Sequence, residues 1–147
     1  MTAHLMRKTL VTLTLAVGLV ARTTASEAEG GKYRCTADRN TVSHYLTVHL
    51  HDGKVGSFSY MAATPVDGTV NSCTVDSSGA KEVDIGPDIQ SFQTDAGQVV
   101  VTRKGKRFDF DFTKISMSDV CGQSSTIAAH IDLTPGSKHC TDVSNRE

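Results

Sequence analysis

Between Arg107 and Thr113 the chain alternates without a break: Phe108, Phe110 and Phe112 fall on one side of an extended backbone, and Arg107, Asp109 and Asp111 on the other. Successive side chains of a strand point to opposite faces, so this segment needs one dry face and one wet one. That pattern belongs to an antiparallel sheet packed on one side, and the three phenylalanines are expected core. The same habit recurs upstream. Tyr45 to His51 sets Leu46, Val48 and Leu50 against Thr47, His49 and His51, and Asp52-Gly53 then supplies a tight hairpin turn. Val55 to Met61 carries Phe58 and Tyr60 on one side, and a further strand runs from Thr69 to Val75 before the loop Asp76-Ser77-Ser78-Gly79-Ala80. Ile89 to Thr94, Gln98 to Arg103 and Lys106 to Thr113, joined by glycine-bearing turns, imply a meander. A last strand from Ser125 to Leu133 places Ile127, Ala129, Ile131 and Leu133 inward; its alanines would suit a helix, but Thr126, Ile127 and Ile131 favour a strand. The expectation is an all-β fold, a small antiparallel up-and-down barrel or compact sandwich of about eight strands.

Residues 1–25 read as an export signal. Arg7 and Lys8 precede an apolar run from Leu10 to Val20, and Thr23-Thr24-Ala25 offers a cleavage site. The apolar run is far short of the roughly 20 residues that span a bilayer, and Thr12, Thr14 and Gly18 interrupt it. Cleavage after Ala25 leaves 122 of 147 residues: a polar segment 26–31 expected to be disordered, then a single β-barrel-like domain over 32–147. A periplasmic or secreted location follows, with no membrane attachment after cleavage. Cys35, Cys73, Cys121 and Cys140 all lie beyond the signal, where paired thiols persist, so two disulfides are expected. Shorter loops cost less entropy to close, which favours Cys35 with Cys73 and Cys121 with Cys140, while a bridge from Cys35 to Cys140 stays open. No cysteine pair has the close spacing of a zinc knuckle.

The signal takes three of the 15 basic residues and none of the 16 acidic ones, so the mature chain carries a formal charge of -4. That argues against nucleic-acid binding, which draws on a basic surface, and is compatible with a basic protein partner. His49 and His51 share a strand face, and His44 and His130 would have to join them to hold a metal; the ordinary reading is solvent-facing residues, so neither metal nor cofactor is expected. The same histidines with Lys54 or Lys106 could serve a secreted nuclease, and Asp109 with Asp111 a glycoside hydrolase. Against both stands the simpler role of Asp109 and Asp111 in keeping a phenylalanine-rich strand wet. No serine sits in a Gly-x-Ser-x-Gly elbow, and no enzymatic activity is expected.

Two loops carry the remaining signal. Ser77-Ser78-Gly79-Ala80-Lys81 joins two strands, and Arg103-Lys104-Gly105-Lys106-Arg107 crowds four cations into a hairpin tip. Like charges so close repel, so the tip should project into solvent unless an anionic surface receives it.

In order along the chain, Tyr33-Arg34-Cys35, Ser78-Gly79-Ala80-Lys81, Thr94-Asp95-Ala96-Gly97 and Lys104-Gly105 resemble motifs of the periplasmic lysozyme-inhibitor family of Gram-negative bacteria. The chain departs from that pattern in having valines where the short strand carries aromatics, and no tryptophan. The resemblance implies a small exported β-barrel that blocks a lysozyme or another peptidoglycan hydrolase by loop insertion, with Ser78 and Lys81 facing the catalytic carboxylates and Arg103, Lys104 and Lys106 supporting the contact. An immunity protein against a wall-degrading toxin would use the same architecture. The rival readings are a small-ligand carrier, which needs an open apolar interior, and a hydrolase built on His49, His51, His130 or the Asp109 and Asp111 pair.

Overall fold

Four strands, β1 (Gly31–Arg39), β2 (Val42–His51), β3 (Lys54–Val66) and β4 (Thr69–Asp76), follow one another in a single antiparallel meander. Six more form a second sheet: β5 (Lys81–Gly86), β6 (Ile89–Thr94), β7 (Gly97–Lys104), β8 (Arg107–Ile115), β9 (Ala128–Leu133) and β10 (Thr141–Asn145), again in sequence order across the sheet. A single turn of helix, α1 (Met117–Val120), separates β8 from β9. The computed structural model describes residues 30–122 and 124–146, so the export signal expected at 1–25 lies outside it. Gly31, expected in a disordered segment, already pairs with Leu50.

The all-β expectation holds, as a sandwich of two sheets; the barrel-like alternative is corrected, because among the described residues no ladder of hydrogen bonds closes one sheet on itself. Turn chemistry explains the meanders. At the β2–β3 hairpin Asp52 and Gly53 both take positive φ, 50° and 73°, the geometry that lets a two-residue turn match the twist of its strands. Three strands were not placed by alternation. Every side chain of β5 from Lys81 to Ile85 is exposed, and β10 pairs with β9 through two register shifts, so neither shows a clean period of two. β1 does alternate at Tyr33, Cys35 and Ala37, but only Cys35 is fully buried.

Facing side chains fill the space between the sheets. Phe58 meets Phe92 and Phe110 edge-on at 5.3 and 5.5 Å between ring centroids, and Tyr60 stacks on Phe112 at 4.6 Å. Phe108, Phe110 and Phe112 are buried as their alternation requires, as are Leu46, Val48 and Leu50. A polar link crosses this core: the Tyr60 hydroxyl accepts the Ala128 N–H at 2.8 Å and bonds His44 Nδ1 at 2.7 Å. Burial pushes the Tyr60 hydroxyl pKa up and the His44 pKa down, the latter opposed by Asp38. Tyr60→Phe keeps the ring but strands two buried polar groups, and we expect it to cost about 1–3 kcal/mol in urea unfolding; an unchanged midpoint would show that neither bond matters.

The disulfides join Cys35 to Cys140 and Cys73 to Cys121, overturning the pairing favoured by loop length. Cys35 and Cys73 lie on the two edge strands of one four-stranded sheet, three strand spacings or about 14 Å apart, beyond what a disulfide can span. Adjacency in the fold thus decides against the smaller closure cost. Both bridges connect the first sheet to segments following β8, and beside Cys35 a backbone seam completes one flank: Thr36 N–H donates to Lys138 C=O, and Cys140 N–H to Thr36 C=O, each at 3.0 Å. Such bonds persist in an oxidising compartment, extracellular or periplasmic in kind.

Candidate binding site

β4 stops at Asp76 while β3 continues, and the loop that crosses to the second sheet is clasped at this step. The Ser77 hydroxyl accepts the Phe58 N–H at 2.9 Å and donates to the Phe58 C=O at 3.3 Å, and Ser77 N–H reaches the same carbonyl at 3.0 Å. Asp76 Oδ1 accepts the Ser78 N–H at 2.8 Å, and Ala80 N–H closes the turn onto Ser77 C=O. Gly79 sits at φ +69°, where a side chain would be strained. The result is a loop with a fixed base whose outward parts, Ser78 and Lys81, are exposed.

Beside it, the outer face of the β1–β4 sheet forms an open trough of about 480 Å³. Register builds it in rows. Lys32 pairs with His49 and His49 with Ser57; Arg34 pairs with Thr47, Thr47 with Ser59, and Ser59 with Asp76. Ser77 and Ser78 close the trough where β4 has ended. Arg34 Nε donates to Thr47 Oγ1 at 3.3 Å, which orients the guanidinium across the floor.

At the cationic tip Lys104, Gly105 and Lys106 are exposed, and Lys104 and Arg107 meet acidic groups of the same chain. Arg103 is held by carbonyls, with Nε donating to Gly105 C=O at 3.1 Å and its backbone N–H to Asp88 C=O at 2.8 Å. Lys104 Nζ donates to Asp109 at 2.7 Å, and Arg107 reaches Asp132 at 2.9 Å and Asp142 at 2.7 Å. The anionic surface that receives the tip is the protein's own. Lys106 extends from it exposed. Lys81 and Lys104 also stand at opposite ends of the second sheet: Lys81 shares a row with Gln93 and Gln98, and Gln98 is six residues, about 20 Å, along β7 from Lys104.

The histidines and aspartates are likewise dispersed. His44 is buried in the core, His49 and His51 face out from β2, and His130 lies on the other sheet, where Nδ1 is 3.3 Å from Asp109 Oδ1. Asp111 accepts the N–H and hydroxyl of Thr113, a local turn contact. The partner of Asp109 in the ladder is instead Asp132, which alternation alone marks as wet. Its side chain is 2% exposed, and Oδ1 has no hydrogen-bond partner among the described residues. Burial, then the neighbouring Asp109, pushes Asp132 up to about 6. Burial also raises Asp109, but bonds from Lys104 and His130 outweigh it and hold that carboxyl below its ordinary value.

Among the trough residues, Arg34 enters the sequence pattern only through Tyr33-Arg34-Cys35, and Lys32, Ser57 and Ser59 not at all, although two cations spaced by two on a strand share a face. Comparison with protein-family models, with curated proteins and with solved structures finds no match to this chain.

Proposed function

We propose that this is a periplasmic or secreted inhibitor or immunity-type protein that binds a lysozyme or another peptidoglycan hydrolase and blocks its active-site cleft with the 77–81 loop. The observation that carries the reading is the Ser77 clasp: it anchors the loop to Phe58 while Ser78 and Lys81 remain exposed. A muramidase cleft holds a carboxylate and a carboxylic acid a short distance apart, and a hydroxyl with an ammonium on a stiff loop is complementary to that pair. A loop already held in shape loses less entropy on docking. Two disulfides and an aromatic core supply the rigid frame. Arg103 and Lys104, tied to their own body at the far end of the sheet, leave the insertion to one loop.

The test is inhibition of a panel of lysozymes and other wall hydrolases by the mature protein. Ser78→Ala with Lys81→Ala should weaken inhibition by about 10- to 100-fold, the loss of one or two charge-assisted bonds, while Lys104→Ala should leave it unchanged. Wild-type inhibition by the double variant, or no inhibited enzyme in the panel, overturns the reading.

A further inference from the structure

The outer face of the β1–β4 sheet is polar along the trough, yet Tyr45 and Met61 stand on it 39% and 37% exposed. They are cross-strand partners in the row next to the trough, where Thr36 pairs with Tyr45 and Met61 with Thr74. Three kinds of chemistry therefore meet on one rigid surface. Lys32 and Arg34 bring two exposed cations from one strand; Thr47, Ser57, Ser59 and Ser78 bring hydroxyls; Tyr45 brings a flat ring; His49 also lines the trough, as does Asp76, whose Oδ1 is engaged by the Ser78 N–H at the β4 end, away from Lys32 and Arg34 on β1.

We propose that this trough binds an acidic saccharide, a sugar chain carrying carboxylates. Arg34 is suited to the carboxylate, because the contact from its Nε to Thr47 orients the guanidinium while its terminal nitrogens can form a bidentate fork. Lys32, in the adjacent row, adds a second positive charge without fixed geometry. Serine hydroxyls donate and accept, so Ser57, Ser59 and Ser78 match sugar hydroxyls in either role. Tyr45 covers the apolar face of a pyranose ring in the neighbouring row, with Met61 at its side. The volume lies within the range of small-ligand sites.

Other polymers fit less well. An extended peptide docks through main-chain bonds along a strand edge, whereas the trough presents the side chains of a sheet face. A nucleic acid carries a phosphate at every nucleotide and is held by a run of cations, whereas the trough offers Lys32 and Arg34 beside the carboxylate of Asp76. Ser78 is common to this site and the hydrolase-inhibitor reading, but the trough rests on Lys32 and Arg34 rather than Lys81, so Arg34→Ala and Lys32→Ala test it separately.

The experiment is titration of the mature protein with short oligogalacturonide, hyaluronan and alginate chains, followed by calorimetry and amide chemical shifts. The methyl ester of the oligogalacturonide serves as the uncharged counterpart and inorganic polyphosphate as a plain polyanion. At least one acidic saccharide should bind saturably, with shifts centred on β1 to β3. Arg34→Ala and Lys32→Ala should each weaken that binding about tenfold or more, and for the oligogalacturonide esterification should do the same. Tyr45→Ala should weaken saccharide binding while leaving any polyphosphate binding unchanged. No saturable binding by all three saccharides, equal binding of a bound oligogalacturonide and its ester, or indifference to Arg34→Ala and Lys32→Ala overturns the proposal. Polyphosphate binding as tight as the saccharide's, with Tyr45→Ala without effect, reduces the trough to an anion patch and overturns it as well.

Discussion

Replacing Cys35 and Cys140 together by alanine will lower the free energy of unfolding by about 4–5 kcal/mol. The bridge closes a loop with a sequence separation of 105, and a cross-link of that span removes about that much chain entropy from the unfolded state. Cys73 and Cys121 are separated by 48, so their double replacement should cost about 4 kcal/mol, a few tenths to 1 kcal/mol less. Guanidinium unfolding without reductant measures both. A larger loss at Cys73 and Cys121 would show that native packing, rather than loop length, sets the order. Either loss is large beside the 5–15 kcal/mol typical of a whole domain, and the Cys35 variant also releases the seam at Thr36.

Arg107→Ala will cost about 3 kcal/mol at pH 7, because it leaves Asp132 buried beside Asp109 and Asp142 with its closest cation gone. The lower end of the range for broken buried pairs applies, since Arg107 is itself 40% exposed and water screens it. The loss should shrink by pH 5. Asp132 titrates at about 6 in the folded chain against 3.8 for the ordinary group, so the folded state binds more protons between those values. Its contribution to stability is fully present below pH 3.8 and is lost as pH rises through about 6. His44 acts in the opposite sense: its folded pKa lies below 6.5, so its contribution is present above 6.5 and is lost as pH falls through the lowered value. Asp132→Asn should therefore leave the His44 effect, joined toward pH 4 by that of Asp109, a stability that only declines on acidification through pH 6. A wild-type and Asp132→Asn pair with parallel profiles from pH 4 to 7 would refute the assignment.

What could be read from residue order follows the physics of each segment. Where one face is dry and the other wet, as in Arg107 to Thr113 or Leu46 to His51, a period of two identifies strand, face and core together. His44 obeys the same parity as Leu46, Val48 and Leu50, so its removal from any surface metal site was also legible. β5 was not, because an edge strand with Val83 and Ile85 exposed at 46% and 59% has no dry face to mark it. Asp132 departs from the rule: parity turns it away from Ile131 and Leu133, yet its side chain is buried and bonded to Arg107. The cysteine pairing and the contacts of Arg107 with Asp132 and Asp142 depend on which distant strands become neighbours. Local pattern carries no information about that. The candidate site divides the same way, with the 77–81 loop visible as a turn and the trough visible only once β1, β2 and β3 are in register.

The bridge near both ends of the domain has a mechanical consequence. Cys35 lies in the first strand and Cys140 one residue before the last, so nearly all of the sandwich is contained inside a single covalent ring. Tension applied through the two termini runs across that sulfur link and bypasses β2 to β9. If the chain is tethered and stretched, it will behave as an inextensible bead, with only the short outer segments able to peel.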